Sequence, residues 1–184
     1  MREIEIKLRV NNLEELEQKL KDAGLVISKE INQHDIVYSR IDDTHDYTES
    51  YKGCIIVRIR NQDGASILNL KKQLSGEMDN LEYETKVEDG EAMHQILLTL
   101  GWKPEVEVKK VRKKGKIGEY EICLDRVEKL GDFVELEKLT DDSADPEKVR
   151  DELFKIAESF GLSRNDEETK GYDTQIYLLQ KLKK

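Results

Sequence analysis

Residues 2–10 read Arg2-Glu3-Ile4-Glu5-Ile6-Lys7-Leu8-Arg9-Val10, and their strict alternation governs the reading of the whole chain. A period of two is a strand, with Ile4, Ile6, Leu8 and Val10 on one face and Glu3, Glu5, Lys7 and Arg9 on the other. The same division recurs along the sequence. Arg58 and Arg60 lie opposite Ile55, Val57 and Ile59, and Asn69 and Lys71 lie opposite Leu68 and Leu70. Glu82, Glu84 and Lys86 share a face. Lys110 and Arg112 share one with Val106 and Val108. Glu119, Glu121 and Asp125 oppose Tyr120, Ile122 and Leu124, and Glu135 and Glu137 oppose Val134 and Leu136. Strands are therefore expected over 2–10, 34–40, 54–61, 66–73, 81–88, 105–113, 117–126 and 132–139.

A sheet with one wet face and one core face explains alternation in any single strand. It explains the set less well, because these polar positions are nearly all ionised and fall in same-sign clusters. Like charges two residues apart, and again across neighbouring strands, repel unless something bridges them. Clustered carboxylates suit divalent cations, and clustered Arg and Lys suit phosphates. A site holding both fits a metal–polyphosphate ligand. If the charged faces turn inward, the sheet closes into a barrel with a polar lumen, and helices cover its apolar outside.

Four helices supply that cover. Asn12 caps the first, about 12–23, which carries Leu13, Leu16 and Leu20 and stops at Gly24. The second, about 91–100, carries Met93, Ile96, Leu97 and Leu100. Asp145-Pro146 opens the third, with Val149, Leu153, Ile156 and Phe160 on one stripe. A fourth spans about 173–183. Three strands with a Glu-x-Glu pair, at Glu3, Glu82 and Glu135, each feed a helix closed by glycine, which reads as a repeated strand–helix unit in one sheet system.

Composition narrows the classes. Charged residues make up 39% and hydrophobic ones 37%, against roughly 25% charged in an ordinary domain, so the excess charge needs a place. A net charge of −9 speaks against a non-specific nucleic-acid partner. No apolar run approaches the ~18 residues of a membrane span, and the N-terminus makes a poor signal peptide. The expectation is a soluble, cytoplasmic chain, with 1–184 as one domain. Cys54 and Cys123 have no CxxC partner, and His34, His45 and His94 lack metal-ligand spacing. There is no P-loop, GxGxxG or GxSxG. Gly115 and Gly118 are expected to flank a hairpin turn at Lys116-Ile117. In the basic run 109–114 the outer lysines read as solvated, and Asp42, Asp43 and Asp46 read as a loop.

Glu3-x-Glu5-x-Lys7 at the N-terminus resembles the signature of the CYTH, or triphosphate tunnel metalloenzyme, superfamily. Gln33-x-Asp35-x-x-Tyr38 resembles its second strand, Val57-Arg58-Ile59-Arg60 its paired-arginine strand, and Leu70-Lys71 its tunnel lysine. Glu82-x-Glu84 resembles the central acidic strand and Lys110-Val-Arg112 the Lys-x-Arg strand. The run from Leu124-Asp125 through Gly131 to Glu135-Leu-Glu137 is the most specific match. The resemblance implies an α+β fold: a closed antiparallel eight-stranded β-barrel with a charged lumen and helices packed outside. It implies Mg²⁺ or Mn²⁺ at Glu3, Glu5, Asp125, Glu135 and Glu137. Lys7, Arg58, Arg60, Lys71, Lys110 and Arg112 would grip phosphate, with Lys7, Lys71 and Arg112 as the catalytic cations. Glu82 and Glu84 would orient basic residues or a second metal in the lumen.

The chain is most like the class IV adenylyl cyclase (CyaB-like) branch, which implies conversion of ATP to cyclic AMP and pyrophosphate. The alternatives are a triphosphatase acting on thiamine triphosphate, tripolyphosphate or a nucleotide, and a non-catalytic polyphosphate-binding module. The family also allows a homodimer. Departures exist. The arginine common before the central acidic strand is Asn80 or Leu81 here, and the usual Ser-Tyr near the C-terminus is Gly171-Tyr172, so no role passes to Tyr172. Lys170 reads as a solvent lysine.

Overall fold

The computed structural model describes residues 2–42 and 44–182. Asp43 of the acidic loop and Lys183, at the end of the expected fourth helix, lie outside the described residues. Along the chain come β1 (Arg2–Arg9), α1 (Leu13–Asp22), β2 (Ile31–Arg40), β3 (Ile55–Gln62), β4 (Ala65–Gly76) and β5 (Asp79–Val87). Then follow α2 (Gly90–Thr99), β6 (Trp102–Ile117), β7 (Tyr120–Val127), β8 (Gly131–Thr140), α3 (Pro146–Ser159) and α4 (Tyr172–Lys181). The strands close into an antiparallel barrel in the order β1-β5-β4-β3-β2-β6-β7-β8.

The apolar faces point outward, as the alternation requires. Ile4, Ile6 and Leu8 of β1 pack with Ile122, Leu124, Val134 and Leu136 under Leu13, Leu16 and Leu20 of α1 and Val149, Leu153, Phe154 and Ala157 of α3. On another side, Leu97 of α2 covers Val57, Ile59 and Tyr38. The caps are the expected ones: Asn12 accepts from Glu15 N–H, and Asp145 accepts from Glu147 N–H ahead of Pro146. At one end of the lumen the inward residues turn apolar. Val37, Val106, Val108, Val127 and Phe133 meet Tyr172 and Ile176 of α4, which stoppers that end.

The three Glu-x-Glu strands, β5, β1 and β8, are neighbours in the barrel, and each leads into a helix. They form an acidic wall. Most of the basic residues sit on β4, β3 and β6, of which β4 pairs directly with β5, and Lys7 lies on β1 itself.

Two local departures have physical causes. β6 starts at Trp102 and runs through Pro104, and its register against β2 slips between Val37 and Tyr38. A bulge there absorbs a residue that cannot donate to the ladder. The hairpin turn falls at Gly118-Glu119, with Ile117 opposite Tyr120, so Gly115 is a strand residue rather than a turn flank. Its missing side chain matters, because a Cβ there would lie 2.7 Å from Cδ1 of Ile27, on the segment that crosses β6 after α1.

Candidate functional site

The lumen encloses a cavity of about 480 Å³, lined by Glu3, Glu5, Lys7, Arg58, Arg60, Lys71, Glu82, Glu84, Lys110, Arg112, Glu135 and Glu137. Of the residues singled out in the sequence, Asp125 alone is absent from this lining. It is fully buried behind it.

Ladder register explains the pairing of charges. Asp35 stands directly opposite Arg60, Lys71 opposite Glu82, and Arg112 opposite Asp125. Arg60 donates to both oxygens of Asp35, from Nε at 2.7 Å and Nη2 at 2.8 Å. Arg112 grips Asp125 the same way, at 2.6 and 2.5 Å, and also bonds Glu135. Lys110 Nζ reaches the second oxygen of Asp125 at 3.1 Å. Two buried aspartates thus each fix an arginine in a fork geometry.

Arg58 differs. Its contacts to Asp35 and Glu82 are ion pairs at 3.6 and 3.5 Å, and its Nε is buried without an acceptor. Arg58 lines the cavity without the carboxylate fork that holds Arg60 and Arg112. Lys71 Nζ sits 3.0 Å from both Glu3 and Glu82 and 4.0 Å from Glu5. Asn69 donates to Glu82. Lys7 Nζ is caught by the Lys170 carbonyl at 2.5 Å, while the Lys170 residue itself is exposed. Glu84 lies at the exposed rim.

The carboxylates divide by environment. Burial pushes Glu3 up to about 7, against the pull of Lys71. Burial likewise raises Glu5 and Glu137, with Lys71 opposing at Glu5 and Glu3 adding to the rise at Glu137. At Glu82, burial is outweighed by Lys71 and Arg58, which hold it below the usual range. At Glu135, burial is outweighed by Arg112. One oxygen from each of Glu5, Glu135 and Glu137 falls within 4.8 Å of the others. An all-oxygen, carboxylate donor set of this kind fits Mg²⁺ or Mn²⁺. Asp125 does not join it, since both its oxygens are taken by Arg112 and Lys110.

These shifts give a pH prediction. Glu3 keeps its proton to about 7 when folded, against 4.5 ordinarily. Its contribution to stability is therefore present below pH 4.5 and is lost as pH rises through about 7. A bound cation reverses that loss by taking the proton's place. The gain in Tm on adding Mg²⁺ or Mn²⁺ is expected to be several degrees larger at about pH 8 than at about pH 5. Thermal melts across pH, with chelator and with metal, check this, and parallel curves would refute it.

Sequence reading missed some of the lining. Asp35 stood in a quoted motif, but its role depends on a cross-strand partner that the motif does not reveal. Glu77, whose carboxylate accepts the Gly171 N–H at 2.5 Å, and Tyr172 both line the cavity. No local signal announced Glu77, and Tyr172 stood only in the Gly171-Tyr172 departure, to which no role was given. Of the two candidates for the missing arginine's place, Asn80 and not Leu81 takes the inward position. Cys123 faces Glu121 and Glu137, with Sγ at 3.7 Å from each, and burial raises its thiol so that it stays protonated. The histidines are satisfied elsewhere: His34 pairs with Glu107 at 2.9 Å and His94 with the Tyr38 hydroxyl at 2.7 Å. Of the basic run, Lys113 pairs with Glu17 of α1 at 2.8 Å, and Lys114 turns inward to Glu121 at 2.5 Å. No helix among the described residues is long and apolar enough to cross a membrane.

With this geometry in place, comparison with known proteins is informative. The CYTH domain family model matches residues 1–172. A Methanocaldococcus jannaschii protein named as a putative adenylate cyclase is 32% identical over 174 residues, covering 94% of this chain and 97% of its own. The Aeromonas hydrophila protein named adenylate cyclase CyaB is 27% identical over 173 residues, covering 94% of this chain and 87% of its own. Among solved structures, the PH1012 protein from Pyrococcus horikoshii superposes with a TM-score of 0.78 at 29% identity, covering 92% of this chain and 96% of its own.

Proposed function

The chain belongs to the CYTH domain family, and from that premise we propose that it is a divalent-metal-dependent enzyme that converts ATP to cyclic AMP and pyrophosphate in its lumen. The observation that carries the reading is the meeting in one cavity of a carboxylate cluster, Glu5, Glu135 and Glu137, with the cations Arg58, Lys71 and Lys110. Relatives named adenylate cyclase favour attack at the α-phosphorus over the other chemistries of a triphosphate.

In this reading Glu5, Glu135 and Glu137, with Glu3 beside them, would hold Mg²⁺ or Mn²⁺. When bound, the ion neutralises charge on the phosphate chain and on the departing pyrophosphate. The protein's own cations do the rest. Arg58, which no carboxylate holds in a fork, and Lys7, Lys71 and Lys110 take non-bridging oxygens and align the chain. Arg60 and Arg112, held rigid by Asp35 and Asp125, present fixed positive charge without reorganising. Glu82 keeps Lys71 and Arg58 in place, and Glu84 faces the entrance. The 3′-hydroxyl oxygen of the ribose then bonds to the α-phosphorus. The bond from that phosphorus to the bridging oxygen breaks, pyrophosphate leaves with the electron pair, and the hydroxyl proton is lost. Positioning and electrostatics supply most of the acceleration in such transfers.

The test is a product assay on the full chain with Mg²⁺ or Mn²⁺, offering ATP, tripolyphosphate and thiamine triphosphate separately. Cyclic AMP with equal pyrophosphate is the expected result. Orthophosphate without a cyclic product would assign the lumen to triphosphate hydrolysis instead. Tight metal-dependent binding with no turnover of any substrate would make it a polyphosphate-binding module.

A further inference from the structure

The stoppered end of the lumen holds a hydroxyl that no described residue bonds. Tyr172 opens α4 and is 8% exposed. Its ring meets Phe133 edge-on, with centroids 5.1 Å apart. The ammonium groups of Lys7 and Lys110 stand 4.6 and 4.9 Å from its centroid. The hydroxyl is buried and makes no hydrogen bond; it lies toward Asp125 without reaching bonding geometry.

Asp125 already answers Arg112 and Lys110 through its two carboxylate oxygens. Phenylalanine would fill the same space, pack on Phe133 and face both lysines, without burying an unpaired polar atom. An orphaned hydroxyl opposes folding, so its presence calls for another explanation. Two ammonium groups against one ring also repel each other, and an anion between them would relieve that. Lys7 has only a neutral carbonyl as its acceptor here, which answers one of its three donors.

We propose that the Tyr172 hydroxyl is a substrate-binding group, donating a hydrogen bond to a non-bridging phosphate oxygen held between Lys7 and Lys110. This rests on the triphosphate reading of the lumen and extends it to a residue at its closed end. Burial, together with Asp125 and Glu135, keeps the phenol protonated well above its ordinary range, so it is a donor at working pH. It also explains why α4 stoppers the barrel with a tyrosine: the plug carries one of the ligand contacts.

The experiment pairs two readouts on Tyr172→Phe, which removes only the hydroxyl. Calorimetric titration with inorganic tripolyphosphate in the presence of Mg²⁺ should show affinity about tenfold weaker than the parent. The free variant should melt no lower than the parent, because an unpaired hydroxyl is what it loses. Unchanged affinity overturns the proposal while leaving the triphosphate reading intact. A lower Tm with unchanged affinity would assign the hydroxyl a structural bond to Asp125 and overturn it as well. Failure of the parent itself to bind tripolyphosphate would overturn the triphosphate reading, and this proposal with it.

Discussion

Replacing Glu5 and Glu137 together by glutamine is expected to lower metal-dependent turnover at least about a thousandfold, while the free protein stays folded. Each carboxylate supplies an oxygen to the only all-oxygen group of three found among the described residues, and glutamine of the same shape is a far poorer cation ligand. The stability half of the prediction separates this from damage. Burial already raises both groups, so the parent's surroundings disfavour their ionised form. Glutamine removes that cost, and the variant should melt at or above the parent in chelator. It should also lose the Tm increase that Mg²⁺ gives the parent. A variant that keeps that increase, or that turns over within a few-fold of the parent, would place the metal elsewhere.

Arg112→Met should have the largest effect on the fold itself. Arg112 bonds both oxygens of Asp125, which has no solvent exposure, and bonds Glu135 as well. Without Arg112, Glu135 loses its bonded arginine and Asp125 keeps only Lys110, and breaking a buried ion pair from one side costs about 3–5 kcal/mol. For a chain of this size that is a fall in Tm of roughly 10 °C. Adding Asp125→Leu to the variant should recover part of the loss, since it removes the stranded charge. Urea unfolding of the single and double variants measures it. Equal stability of single variant and parent would mean that Lys110 alone compensates Asp125.

The two predictions bear on how much the chain discloses before it folds. Period-two patterning in β1 assigns Glu3, Glu5 and Lys7 to one face, and the apolar residues opposite them do pack under α1 and α3. The Glu-x-Glu strands recognisable in the sequence become neighbours, so the acidic wall was legible as well. What alternation cannot supply is the ladder register. Asp125 has the face of a lumen ligand, but only its position opposite Arg112 shows that its oxygens are already engaged. Asp35 is the same case opposite Arg60. Tyr172 was noted beside Gly171 but given no role, and its place in the lumen was hidden for another reason. It reaches the lumen from the first turn of a helix, across 165 residues from Lys7 (172 − 7), and no local pattern encodes that approach. Pro104 misplaced the start of β6 because a proline inside a strand ordinarily argues against one, and the bulge beside it lies on β6 itself, with Glu105 as the extra residue.

The most direct test of the account is a crystal of the chain grown with Mn²⁺ and tripolyphosphate, with anomalous scattering used to find the metal. The account predicts a manganese peak among Glu5, Glu135 and Glu137, with the phosphate chain running from it toward Arg58, Lys71 and Lys110. Manganese absent from that group, or the phosphate chain bound outside the barrel, would contradict it.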